Sequence, residues 1–316
     1  MIIDGHTDVL WALMREMRTF ANESDRGHVD LPRMKKGGVE AAFFAIFPSW
    51  SDFDILRGID QWFKLIENPD NQLMQIKKVE DFKKSREENK VGAILHFEGS
   101  GGLDSSLMAL RNYYRIGLRS MGLSWSNVNR FATGVTFNPR TGEGFNLERG
   151  LTDEGKDLVE EMNRLGIIID VSHLNEKSFW DVIETTKKPI IASHSNAYAI
   201  CSHFRNLKDE QIQAIAEKDG TIGLNFCVAF LHSEKKPEEI ELEDMRKHID
   251  HMVDLVGINH MSFGSDYDGA TVPEVVKDVS HFPVLVDHLE NNGYSKQDLE
   301  KITHKNYLRV MKNVWK

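Results

Sequence analysis

Cysteine is nearly absent: only Cys201 and Cys227 occur in 316 residues. Two thiols build no disulfide framework, and a reducing compartment fits. Positive charge is also short. Lys and Arg number 39 against 49 Asp and Glu, a formal net charge of −10. That balance argues against binding nucleic acid by neutralising its phosphates. No apolar run approaches the roughly 20 residues that span a bilayer. Low-complexity segments, short-period repeats and linkers are missing as well, so residues 1–316 read as a single domain. That length is ample for one large core. The chain enters an apolar strand directly after Met1, which leaves no room for a signal peptide. A cytoplasmic protein with neither a nucleic-acid nor a membrane partner is the expectation.

What is present begins with Met1-Ile2-Ile3-Asp4-Gly5-His6-Thr7-Asp8. Two apolar residues start a strand that ends in an imidazole and a carboxylate. On an extended backbone, residues i and i+2 share a face. A His/carboxylate pair suits a divalent metal such as zinc. The spacing alone decides little. With 13 His and 24 Asp, His-x-Asp is expected about once by chance, and it occurs three times. His248/Asp250 falls in an acidic helical stretch and reads as solvated surface. His28/Asp30 sits in a polar run and reads as loop. Only His6/Asp8 follows an apolar strand directly.

The remaining chain alternates strands with helical stretches. Further strands are expected at 39–47, 91–97, 117–125, 167–171, 189–192, 221–226 and 261–264. Helical patterns cover 9–20, two segments within 53–88, and 103–115. They continue at 152–165, 176–186, 208–218 and 238–256, and end with two helices at 280–291 and 296–314. Residues 21–38 and 126–150 read as loops, the second long enough to be functional or mobile. Eight strands separated by helices point to an α/β fold, a parallel (β/α)8 TIM barrel with C-terminal helices.

Five strand ends carry metal-capable or acid/base side chains: His6 with Asp8, then Glu98, His173, His194 and Asp266. In a barrel these ends converge on one mouth. Each has a bland reading of its own. A lone His after a strand is usually a hydrogen-bonded loop residue, a Glu before Gly usually a turn. Asp266 and Asp268 could form an Asx-turn. Joint placement favours a metal site. Three His and two carboxylates exceed the needs of one four-coordinate zinc. Two ions need a bridging group, and Glu98 is the candidate. Two Zn2+ balanced by Asp8, Glu98 and a bridging hydroxide leave one net positive charge, which favours an anionic substrate group nearby. Asp266 would serve as a proton carrier as much as a ligand.

These residues carry a resemblance. The chain resembles the membrane (renal) dipeptidase family of the amidohydrolase superfamily over nearly its whole length. The matching stretches are Asp4-Gly5-His6-Thr7-Asp8, His28-Val29-Asp30-Leu31-Pro32, Phe97-Glu98-Gly99 and Ile169-Asp170-Val171-Ser172-His173. Ser193-His194-Ser195-x-Ala197-Tyr198, Arg205-Asn206 and Gly264-Ser265-Asp266-Tyr267-Asp268-Gly269 complete them. The spacing of 21 residues between His173 and His194 agrees with the family's. The resemblance implies a dipeptide-hydrolysing barrel with two Zn2+ per chain. His6 and Asp8 would hold one zinc, His173 and His194 the other, and Glu98 would bridge. Arg205 would bind the substrate carboxylate with its planar fork, and Asp266 would face the scissile nitrogen.

One stretch departs from that pattern. The mammalian-type Thr-His-Asn after the fourth strand is here Leu123-Ser124-Trp125-Ser126-Asn127. Trp125 takes the place of a substrate-contacting His, and Asn127 is carried over as a substrate contact. An indole donates one hydrogen bond and accepts no proton. The expected reaction is attack of a metal-bridging hydroxide on the peptide carbonyl, with Asp266 protonating the leaving amine. Two rivals remain: another amidohydrolase reaction, such as deacylation of an N-acyl amino acid, and a non-catalytic barrel kept as a binding module. The expected partner is a dipeptide, and a homodimer is left open.

Overall fold

Eight parallel strands close a barrel in the computed structural model, which describes residues 1–137, 144–145 and 147–316. The strands are β1 (Ile2–Thr7), β2 (Val39–Ile46), β3 (Val91–Glu98), β4 (Leu118–Gly122), β5 (Ile168–Asp170), β6 (Ile190–Ala192), β7 (Thr221–Leu224) and β8 (Met261–Phe263). Neighbours in sequence are neighbours in space, and β1 pairs with β8 to close the ring. Nearly every strand residue is buried, as expected where helices cover the outside and side chains fill the inside. The register sets Glu98 beside Gly122, and Gly122 beside Asp170. Three strand ends thus stand level at the mouth.

The opposite end is plugged. Ile3, Phe43, Ile94, Ile168 and Ile191, from the middle or early parts of their strands, pack against Tyr307, Val310 and Met311 of the C-terminal helix and Trp315 just beyond it. Each fully buried aliphatic side chain here is worth roughly 1.5–3 kcal/mol. The Tyr307 hydroxyl lies within hydrogen-bond reach of the Ser193 and Phe263 carbonyls, at 3.2 and 3.1 Å. The expected helix at 296–314 runs as Lys296–Glu300, a π-helical segment Lys301–Lys305, and Asn306–Val314.

Several local expectations need correction. Residues 21–38 are not all loop, because Leu31–Lys36 is helical. Asp30 caps it, its carboxylate accepting from Arg33 N, and Pro32 stands in the first turn. The segment 53–88 is not only helix. Between helices Asp52–Glu67 and Asp81–Glu87, Leu73–Gln75 forms a short strand along the start of β3. His248 is no surface residue. It is fully buried, accepts from Ala197 N at 3.1 Å, and lies 3.1 Å from the Leu231 carbonyl. In the 126–150 loop, Thr136–Phe137 pairs antiparallel with Gly144–Phe145; residues 138–143 and 146 lie outside the described residues. Among the described residues, no helix is long and apolar enough to cross a membrane.

Candidate metal centre

β1 ends at Thr7, one residue earlier than the sequence pattern suggests, and Asp8 stands just before the helix Val9–Glu16 without capping it through its side chain. The pairing of β1 with β2 is irregular between Asp4 and Thr7. Such irregularities re-aim side chains, and His6 and Asp8 still meet, His6 Nε2 lying 3.4 Å from Asp8 Oδ2. The Asp266–Gly269 turn closes over this pair. Asp8 N donates to the Tyr267 carbonyl at 2.9 Å. Gly269 is required there, since a Cβ at this position would collide with the Asp8 carboxylate. Glu98 is the last residue of β3. Gly99 turns the chain away at φ 139°, where a side chain would also press on Ser49.

The structure brings together all five strand ends. Glu98 Oε1 lies 2.9 Å from His173 Nε2 and 3.6 Å from the Nε2 atoms of both His6 and His194. His173 Nε2 and His194 Nε2 are 2.9 Å apart. His6, Asp8 and Asp266 offer ligand atoms within 4.8 Å of one another, and so do His6, Glu98 and His194. All of these groups are buried or nearly so.

A ring of supports, to which sequence reasoning gave no role, holds them. Ser193 Oγ lies 2.5 Å from Asp170 Oδ2 and 2.7 Å from His194 Nδ1. Asp170 also accepts from Ser172 N, Ser172 Oγ and Ser193 N. A hydroxyl has one proton, and Ser193 Oγ gives its own to Asp170 Oδ2. Ser193 then accepts from His194 Nδ1, and the His194 Nε2 lone pair faces Glu98 and His173. Ser126 Oγ lies 3.0 Å from His173 Nδ1. Asn225 Nδ2 donates to Asp266 Oδ2 at 2.9 Å. Asp4 holds the far side of the mouth, accepting from Ser265 N and Oγ. The signal was there in part: Asp4 and Asp170 stand inside the same motifs as His6 and His173.

Burial and charge divide the histidines. Burial disfavours the charged form of His6, but Glu98 and Asp8 beside it win, and its pKa is pushed up to about 10. Burial, with Arg205 and His6 nearby, holds His173 and His194 well below the ordinary range. Burial and the Asp8 charge drive Glu98 well up. Asp266 is raised to about 6, mainly by burial, with His6 pulling the other way.

The other candidates lie around this cluster. Trp125 lines a cavity of about 220 Å3 together with Asp8, Glu98, His173, Cys227 and Asp266. Cys227 was not singled out by its sequence context. Arg205 is almost fully buried and lines a neighbouring cavity of about 250 Å3. Its guanidinium donates to the Ser172 carbonyl and, at 3.4 Å, to the His194 carbonyl. Nε has no partner among the described residues, and a guanidinium carries five N–H donors, more than the contacts to these two carbonyls use. The sequence reading expected Asn127 at the substrate, but its side-chain oxygen accepts from Ser124 Oγ at 3.0 Å and it lines neither of these cavities.

The donor set fits a divalent metal. Two imidazole nitrogens at 2.9 Å need a proton or a cation between them. Buried Asp8 Oδ1 and His6 Nδ1 have no partner among the described residues. Imidazole and carboxylate are the ligands zinc takes.

Comparison with known proteins agrees. The family profile described as membrane dipeptidase (peptidase family M19) matches residues 1–316. A Klebsiella pneumoniae protein from the pqqA 5′ region is 37% identical over 271 residues, 84% of this chain and 96% of that protein. A solved M19 metallopeptidase, the dipeptidase AC, superposes with a TM-score of 0.89 at 34% identity, covering 99% of this chain and 98% of its own. A Rhodobacter sphaeroides metallopeptidase, solved with a phosphinate mimic of the dipeptide L-Ala-D-Ala, gives 0.89 at 32% identity, with 99% of each chain covered. From the five converging strand ends and these likenesses together, the chain belongs to the membrane dipeptidase family, peptidase family M19.

Proposed function

We propose that this metallopeptidase hydrolyses dipeptides with two zinc ions at the barrel mouth. His6 and Asp8 would hold one, His173 and His194 the other, and Glu98 would bridge. The observation that carries the reading is Glu98 Oε1, 2.9–3.6 Å from three imidazole Nε2 atoms. Bound there, zinc would polarise the peptide carbonyl and lower the pKa of a coordinated water.

The chain's own residues supply the rest. Arg205 lines the neighbouring cavity, and its planar guanidinium suits the carboxylate at the C-terminal end of a dipeptide. Asp266, raised to about 6 and kept in place by Asn225, can carry a proton near neutrality and pass it to the leaving amine. The main chain at Asp266 is left-handed, φ 63°. The Rhodobacter relative's dipeptide mimic supports the same substrate class. The test is a panel of L,L and L,D dipeptides and N-acyl amino acids, with metal quantified in each sample. Cleavage of dipeptides with about two zinc per chain is expected. Cleavage of N-acyl amino acids alone would replace this reading with deacylation.

A further inference from the structure

One flank of the metal cluster is walled by aromatic rings. The Phe47 ring lies 5.4 Å from Trp125 and 6.0 Å from Trp11, and the Trp125 ring lies 5.6 Å from that of His173. Trp11, Phe47, Trp125 and Phe230 all line the 220 Å3 cavity that also holds Asp8, Glu98 and Asp266. No Lys or Arg lines it among the described residues. Arg205 lines the other cavity instead. A dipeptide whose carboxylate reaches Arg205 and whose peptide bond lies over Glu98 therefore points its N-terminal residue at the aromatic wall.

We infer that Trp125, with Phe47 and Trp11, is a specificity-determining wall that selects an apolar side chain on the substrate's N-terminal residue and rejects an acidic one. An indole accepts no proton, so Trp125 contributes apolar area rather than acid or base. Burying an aliphatic side chain against these rings is favourable in proportion to the area removed from water. A carboxylate against the wall would face the negative faces of the rings and lose its hydration, with no Lys or Arg among the described lining residues to pair it. The inference rests on the dipeptidase reading above.

The test compares kcat/KM for Leu-Ala, Gly-Ala and Asp-Ala, each with L- and D-alanine, on the metal-replete wild type, Trp125→Ala and Trp125→Phe. Wild type is expected to prefer Leu-Ala over Gly-Ala by about tenfold or more, with Asp-Ala at or below Gly-Ala. Trp125→Ala should bring the Leu-to-Gly ratio down toward one, mostly through KM, and Trp125→Phe should retain most of it. A wild-type ratio near one, or Asp-Ala as the best substrate, overturns the inference while leaving the dipeptidase reading intact. So does an unchanged ratio in folded Trp125→Ala. If that variant does not fold, Phe47→Ala is held to the same expectation. No cleavage of any dipeptide by metal-replete wild type overturns the dipeptidase reading instead.

Discussion

The two halves of the barrel mouth use the same side chain in opposite ways. His173 and His194 each have Nδ1 within reach of a serine hydroxyl, Ser126 or Ser193, and are held neutral well below the ordinary range. Among the described residues His6 has no partner at Nδ1; it sits against Asp8 and Glu98, and is pushed up to about 10. Burial is complete or nearly so on both sides, so burial does not make the difference. Neighbouring charge does. One half presents lone pairs ready for a cation, and the other holds a proton that a cation must displace. Glu98 is the residue both halves share.

The largest effect expected from disturbing this arrangement is at that shared residue. Glu98→Gln keeps shape but removes the charge proposed to bridge, and turnover should fall by about a thousandfold or more. Steady-state kinetics at saturating zinc checks it, and near-normal turnover would put the bridge elsewhere.

Arg205 comes next. Arg205→Lys keeps the charge and loses the fork. A charge-assisted bidentate contact is worth a few kcal/mol, so kcat/KM for a dipeptide should drop by roughly a hundredfold. The ratio of dipeptide to dipeptide amide should drop with it. An unchanged ratio would leave Arg205 a purely structural residue that ties the Ser172 and His194 carbonyls together.

Ser193→Ala sharpens the contrast between the halves. It breaks the Asp170–Ser193–His194 chain, and outer partners of this kind typically contribute about 10–100-fold in metal affinity. The loss should appear in one of two zinc-binding steps in a competition titration with a chelator. Equal weakening of both steps would mean the halves do not act separately.

The contrast between the halves also appears in pH, where each unit moves affinity by no more than about tenfold. A folded pKa near 10 means His6 is protonated at neutrality, so zinc must expel that proton. The sign is that affinity rises with pH, by about tenfold per unit between about pH 6 and 8 for the step involving His6. His173 and His194, held neutral there, add no imidazole proton to expel, so their step should rise with pH less steeply than the His6 step. Zinc titrations at several pH values read both slopes, and two equal slopes would erase the distinction.

Much of this could be read before any coordinates. His6, Glu98, His173, His194 and Asp266 each follow an apolar run, and a barrel gathers strand ends whatever their separation in sequence. Leu73–Gln75 was not legible because three residues show no period, and only the neighbouring β3 makes them a strand. His248 looked solvated because its charged neighbours hid its burial, which depends on Ala197 and Leu231 from elsewhere in the chain. By sequence Ser193 and Ser126 follow expected strands or stand in a loop, and Asn225 falls inside the strand expected at 221–226, with nothing to mark any of them as a support. Their roles rest on partners one or more strands away: Asp170, His173 and Asp266. Asn127 was carried over by motif position, but its side chain turns back onto Ser124. Hydrogen-bond partnership across the barrel was the information the sequence pattern lacked.

The central claim is that one carboxylate joins two metal sites. Its most direct test is the zinc stoichiometry of purified protein, dialysed to equilibrium against buffered zinc and measured by elemental analysis. Wild type should saturate at about two ions per chain and Glu98→Gln at about one. Saturation of the wild type at one ion, or of both proteins at two, would contradict the account.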